Sequence, residues 1–170
     1  FAYVDFEDDF NVSSIQDAAQ AFGVKIIRSH HNMTGSVSNI REKMATMRKT
    51  GYEIPKIAFM PRSLADVENL FREASQIKDF DFILCAMGVE GFPSRVLASL
   101  SNSYLTFVSP KEVIEHTKFL GHIDPETLQN LYSFNSITKE TSLYGITAWP
   151  SIDSAVVELH NKYFKENNLN

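Results

Sequence analysis

Short apolar runs alternate with helix-patterned stretches along most of this chain, and that rhythm limits the folds open to it more than any other feature. Ala2–Phe6 reads as a strand. Ser13 or Ser14 starts a helix that runs to about Phe22, where Gly23 stops it. Val24–Ser29 is the next strand. Ser36 or Ser38 opens a helix to Thr50, with Ile40, Met44 and Met47 on one face and Gly51 as the stop. Glu53–Pro61 holds a third strand. Ser63 caps a helix whose buried side is Leu64, Val67, Leu70 and Phe71. Phe82–Ala86 and Tyr104–Val108 read as strands, with a shorter helix over Glu90–Ser99 between them. Asp124 followed by Pro125 suits the N-cap and first position of a helix to Tyr132. Serial βα units imply a parallel sheet, and strands without strict polar alternation imply one covered on both faces. A doubly wound open sheet and part of a (β/α)8 barrel both fit. No Gly-x-Gly-x-x-Gly follows a strand, which weakens the dinucleotide-binding version. In either architecture functional groups belong at the C-terminal ends of strands.

The character changes after residue 132. Ser133–Ser142 is polar and loop-like, Leu143–Thr147 reads as another strand, and Asp153–Asn167 as an amphipathic helix. The organisation expected is an α/β domain over 1–132, a linker over 133–142, and the start of a further unit over 143–170. The bulk numbers narrow the partners. A net charge of −5 and a pI near 5.5 argue against a nucleic-acid binder, while leaving room for a small anionic ligand held by local cations. Cys85 is the single cysteine, so no internal disulfide forms. The apolar runs are too short to span a membrane. The chain opens Phe1-Ala2-Tyr3-Val4-Asp5, without a signal-type segment, and a cytoplasmic setting is the expectation.

Lys56 stands out in Ile54-Pro55-Lys56-Ile57-Ala58-Phe59-Met60-Pro61. Strand side chains alternate, so Ile57 and Phe59 share one face and Lys56, Ala58 and Met60 the other. Lysine is rarely buried without a partner or a task. Either Lys56 snorkels to water from an edge strand, or it is a desolvated amine available to attack a carbonyl. One strand earlier, Ile26-Ile27-Arg28-Ser29-His30-His31-Asn32 ends in two histidines that alternation sends to opposite faces. If Ile27 and Ser29 line the inside, His31 joins them. A metal site is disfavoured, because His30 and His31 diverge and His116 and His122 lie far along the chain. Lysine and histidine on neighbouring strands suit carbonyl chemistry: the amine forms an imine, and the imidazole removes the acidified proton. Arg95, in Glu90-Gly91-Phe92-Pro93-Ser94-Arg95, either clamps a carboxylate or is an ordinary surface helix arginine. Met60, Cys85 and Met87 read as packing residues.

These stretches, together with Asp5-Phe6-Glu7, resemble the type I 3-dehydroquinate dehydratases in order and spacing over roughly residues 1 to 132. The resemblance implies a (β/α)8 barrel that converts 3-dehydroquinate to 3-dehydroshikimate in the shikimate pathway. It implies Lys56 as the imine-forming lysine, His31 as the general acid/base and Arg95 as the carboxylate ligand, with no metal or cofactor and a possible homodimer. The chain departs from the family in three ways. Only about strands four to eight of a barrel are represented, so either a longer polypeptide supplies the rest or this piece exists in an unusual state, and the 170 residues by themselves are expected to be poorly active. The last loop has Lys118 and His122 where the family has a Ser-x-x-Gly-Gln pattern, which makes those two the substrate contacts expected there, and Cys85 stands where much of the family has methionine. The C-terminal stretch, with Tyr144-Gly145-Ile146, Trp149-Pro150, Ser154-Ala155-Val156-Val157 and His160-Asn161, resembles the opening of a shikimate dehydrogenase-like domain in which one of two carboxylate-binding serines is kept. A dehydratase is therefore the leading reading. The alternatives are a non-catalytic relative of the same fold, acting as a metabolite sensor or scaffold, and an unrelated parallel α/β module.

Overall fold

Four of the five strands expected before residue 132 form one parallel sheet in the computed structural model of the chain, which describes residues 1–146 and 154–169. They are β1 (Tyr3–Glu7), β2 (Lys25–Asn32), β3 (Ile54–Phe59) and β4 (Ile83–Ala86), side by side in chain order. Asp5 opposes Ile27, Ser29 opposes Lys56, and Lys56 opposes Ile83. Parallel neighbours require a crossover, and α1 (Ser13–Ala21), α2 (Ile40–Met47) and α3 (Leu64–Ser75) supply the three needed. After β4 come α4 (Gly88–Val96), the short α5 (Ile114–Thr117), a 3-10 turn over Lys118–Leu120, α6 (Pro125–Asn130) and α7 (Ser154–Glu166). Among the described residues no helix is long and apolar enough to cross a membrane.

Side-chain alternation sorts the sheet into two unlike faces. Ile57, Phe59, Leu84 and Ala86 point under the helices, where they meet Ile40, Met44 and Met47 of α2 and Val67, Leu70 and Ala74 of α3. That packing leaves Lys56, Ala58 and Cys85 for the opposite face. The caps hold two helix starts where the sequence puts them. Ser63 and Asp66 form a reciprocal capping box at α3. The Asp124 carboxylate accepts the Thr127 N–H at 3.0 Å, with Pro125 at the first helical position of α6.

Other boundaries differ for local reasons. The second helix starts at Ile40, after Asn39 in the left-handed region, rather than at Ser36 or Ser38, and it ends at Met47. The fifth strand expected at Tyr104–Val108 does not form a ladder. Tyr104 N–H donates to the Phe82 carbonyl at 2.7 Å, but the Leu84 N–H is taken by the Ser103 hydroxyl at 3.1 Å. A side chain thus stands in for the missing strand partner. The segment still packs as a strand would, with Leu105 and Phe107 against Ile27, Ile54 and Ile83. Residues 143–146 are not strand, and the rest of the strand expected to Thr147, with Trp149-Pro150, lies outside the described residues. The last helix spans Ser154–Glu166, close to the Asp153–Asn167 expected, and Asn161 Nδ2 donates to the Leu131 carbonyl at 2.8 Å.

Arg28 is fully buried on the helix side of β2. One guanidinium nitrogen donates to the carbonyls of Glu7 (3.1 Å) and Phe10 (2.6 Å), and the other to Gln16 Oε1 at 2.8 Å. It therefore ties the β1–α1 connection to α1. Arg28→Ala strands three acceptors and opens a cavity, and should cost about 3–5 kcal/mol of unfolding free energy, read as a lowered denaturant midpoint at unchanged slope.

Candidate active site

The face of the sheet opposite α2 and α3 carries the polar groups. Lys56 is buried in β3, 7% exposed. Its Nζ lies 3.0 Å from Asp5 Oδ2 and 4.4 Å from the ring centroid of Phe107. The other Asp5 oxygen accepts the hydroxyl hydrogen of Ser29. A lysine in that setting is neither snorkelling nor unpartnered: an acid holds it, an aromatic face covers it, and its amine is kept from bulk water.

His31 sits on β2, beside Ala58 in register, while Ser29 is beside Lys56. The two residues singled out for carbonyl chemistry are therefore on adjacent strands and share one face, His31 one pleat nearer the C-terminal end. The imidazole is more exposed than the lysine, at 35% of its side chain, and Nδ1 is 2.7 Å from Glu7 Oε1. His30 turns the other way, to Asp8 Oδ2 at 3.0 Å, so the histidine pair diverges as alternation requires. Among the described residues no cluster of His, Cys, Asp and Glu could hold a metal ion.

Arg95 is not a surface arginine. It is 2% exposed on α4 and donates to the carbonyls of Leu120 (2.7 Å) and Phe107 (3.4 Å), with Nε unpartnered. Among the described residues no carboxylate forms a salt bridge with it. Burial pushes its pKa down, yet a guanidinium remains charged. A buried cation with a spare donor is suited to an anionic group arriving from outside. Close packing between α4 and β4 brings it there. A Cβ at Gly91 would collide with the Ala86 backbone, and the Ser94 hydroxyl accepts the Ala86 N–H at 2.9 Å.

Lys118 opens the 3-10 turn over Lys118–Leu120, and His122 follows its C-cap, Gly121. Lys118 is exposed. His122 is half-buried, with Nδ1 2.7 Å from Ser109 Oγ, which in turn accepts from Thr117 Oγ1 at 2.9 Å. Ser109 thus ties the His122 ring, through Nδ1, to Thr117 at the end of α5. Burial first, and the Arg95 charge second, lower the His122 pKa, so this ring is held neutral beside Arg95. Asp5, Glu7 and Phe107 belong to the site although the sequence marked no role for them. The available signal was the spacing of Asp5 and Glu7, two acids on one face of an otherwise apolar strand.

Cys85 lies on the same face, buried. Desolvation raises its thiol pKa, and the nearby positive charges of Arg95 and Lys56 only oppose that rise. The thiolate is the reactive form. Native protein should therefore react with a disulfide reagent at least roughly a hundredfold more slowly than urea-unfolded chain, and equal rates would show this face open to solvent.

Comparison with known proteins gives a consistent picture. Residues 1–139 match the type I 3-dehydroquinase family. The chain is 33% identical over 150 residues to the chloroplastic bifunctional 3-dehydroquinate dehydratase/shikimate dehydrogenase of Arabidopsis thaliana, covering 86% of this chain and 24% of that protein. It is 34% identical over 108 residues to a 3-dehydroquinate dehydratase of Klebsiella pneumoniae, covering 60% of this chain and 43% of that one. Among solved structures, the type I 3-dehydroquinate dehydratase of Clostridium difficile, carrying covalently modified comenic acid, superposes with a TM-score of 0.66 at 25% identity, over 81% of this chain and 56% of that one. The Aquifex aeolicus 3-dehydroquinate dehydratase gives a TM-score of 0.62 at 27% identity, over 78% and 59%. The chain thus spans less than half the length of these two curated relatives.

Proposed function

This chain belongs to the type I 3-dehydroquinase family, and on that premise we propose that it carries the imine-forming and proton-transferring groups of a 3-dehydroquinate dehydratase. The observation that carries the reading is the amine of Lys56, buried against Asp5 and one strand from His31 on the same face. The Lys56 amine adds to the substrate ketone, Asp5 stands ready to take the proton the ammonium must lose, and the ketone oxygen departs as water. The imine acidifies the neighbouring C–H. His31 takes that proton and returns it to the hydroxyl one carbon further on, which leaves as water. Hydrolysis of the imine releases 3-dehydroshikimate and restores the amine, for a net loss of one water. Arg95 binds the substrate carboxylate, and Lys118 and His122 complete the anion's surroundings.

The finer architecture follows from the same reading. The four-stranded sheet and the Leu105–Phe107 segment represent the later strands of a (β/α)8 barrel within 1–132, 133–142 is the linker, and 143–170 begins a shikimate dehydrogenase-like unit. The bifunctional name of the Arabidopsis relative supports that order. A cytoplasmic homodimer using no cofactor is the setting we propose. Lys118 and His122 are what favour the second reading, a metabolite-sensing relative without turnover.

Borohydride reduction in the presence of 3-dehydroquinate tests both. A stable mass adduct on the peptide containing Lys56 is the expected result. Turnover without an adduct, or an adduct on another lysine, would remove the imine assignment, and binding with neither adduct nor turnover would favour the sensor.

A further inference from the structure

The ion pair between Lys56 and Asp5 joins two strands that are not neighbours. Asp5 is on β1 and Lys56 on β3, and β2 lies between them. Adjacent strands are about 4.8 Å apart, so the carboxylate and the amine meet only by leaning over β2 from both sides. The residue of β2 beside Lys56 in register is Ser29, which is fully buried. Its side chain is small enough to be spanned. Its hydroxyl donates to Asp5 Oδ1, while Asp5 Oδ2 accepts from Lys56 Nζ at 3.0 Å. Each carboxylate oxygen therefore has its own donor, and the plane of the group is fixed. Asp5 needs that restraint, because its side chain is 38% exposed and water offers it other donors. The Ser29 backbone is pinned as well, its carbonyl accepting the Asp8 N–H at 2.7 Å.

An ammonium does not attack a ketone, and Asp5 Oδ2 is the base within reach of the Lys56 proton. The protons of imine formation balance on these two groups. The ammonium gives one proton to Asp5. The freed nitrogen pair bonds to the ketone carbon, the carbonyl pair moves to oxygen, and that oxygen takes a second proton from nitrogen. Asp5 returns its proton to the new hydroxyl, which leaves as water while the nitrogen pair closes the C=N bond. Hydrolysis reverses the sequence. We propose that Ser29 is the positioning residue of Asp5: it holds the carboxylate in the one orientation that serves the Lys56 amine, so that Asp5 carries the protons of imine formation and hydrolysis and His31 is left the C–H and hydroxyl steps. The inference rests on Lys56 forming the imine and adds what moves its protons and what holds that group in place.

Rapid mixing of the full chain with 3-dehydroquinate, quenched into borohydride, separates the two stages, because the reduced product adduct on the Lys56 peptide is lighter than the substrate adduct by one water. The rise of total adduct reads imine formation, and conversion of the heavier adduct to the lighter reads the His31 steps. Ser29→Ala should slow the rise about tenfold to a hundredfold and leave the conversion unchanged. Asp5→Asn, which still accepts from Ser29 but takes no proton, should slow the rise at least as much. Ser29→Thr and Ser29→Val fill the same volume and differ in the hydroxyl, so Ser29→Thr should be much the faster of the two. An unchanged rise in Ser29→Ala, an equal slowing of both stages, or equal rates in Ser29→Thr and Ser29→Val would overturn the proposal while leaving the imine in place. No adduct in the wild type would remove the imine reading itself, and this inference with it.

Discussion

Lys56→Ala should abolish the borohydride-trapped adduct and lower kcat of the full chain by at least about a thousandfold. The size of the effect comes from what the amine alone supplies. In the proposed route every later step, from C–H acidification to loss of the hydroxyl, depends on the imine, and no other lysine in the described structure is held on this face of the sheet with comparable burial. Alanine also removes the partner of Asp5, but that carboxylate is 38% exposed at its side chain and stays hydrated, so the fold should lose little. Lys56→Arg makes the distinction sharper. Arginine keeps a positive charge for Asp5 and for the Phe107 ring, yet a guanidinium does not form an imine under these conditions. Wild-type stability with no adduct and no turnover is the expected pair of results. Substantial turnover by Lys56→Arg would mean that Lys56 acts through its charge, and the covalent route would have to be abandoned.

How legible the site was in the sequence depends on how local its determinants are. The pairing of Lys56 with His31 was readable, because two rules of short range give it: side chains alternate along a strand, and successive βα units lay successive strands together. Burial of Arg95 was not readable. It depends on the carbonyls of Phe107 and Leu120, twelve and twenty-five residues further on, and a helix pattern alone allows a surface arginine. The contacts of Asp5 with Lys56 and of Glu7 with His31 needed the register of β1 on β2, which no composition argument fixes. The misread strand at Tyr104–Val108 shows the opposite failure. Its apolar, extended character was read correctly, but the Ser103 hydroxyl captures the Leu84 N–H and the ladder never closes. Local propensity identifies an extended segment, whereas strand pairing is decided by competitors for each backbone group. The His122 relay through Ser109 and Thr117 was invisible for the same reason.

Gly121→Ala should destabilise the protein by about 3 kcal/mol, combining left-handed backbone strain with overpacking, and should cost substrate affinity as well. Gly121 has φ +73, and a Cβ there would drive into the Gly88 carbonyl oxygen at the start of α4. Neither backbone yields cheaply. Gly88 is itself in the left-handed region at φ +74, held by the tight exit from β4, and Leu120, next to Gly121, accepts from Arg95. Any shift that relieves the contact therefore moves Arg95 and the turn bearing Lys118 and His122. Gly23→Ala isolates the two causes. Gly23 has a similar φ of +68 but nothing within 4 Å of a Cβ, so it should lose only the left-handed penalty of about 1–2 kcal/mol. The excess in Gly121→Ala, measured as the difference in denaturant midpoints at equal slope, is the energy of the close approach between the last loop and α4. Equal losses in the two variants would mean that the loop gives way freely, and that Arg95 is held in place by α4 alone.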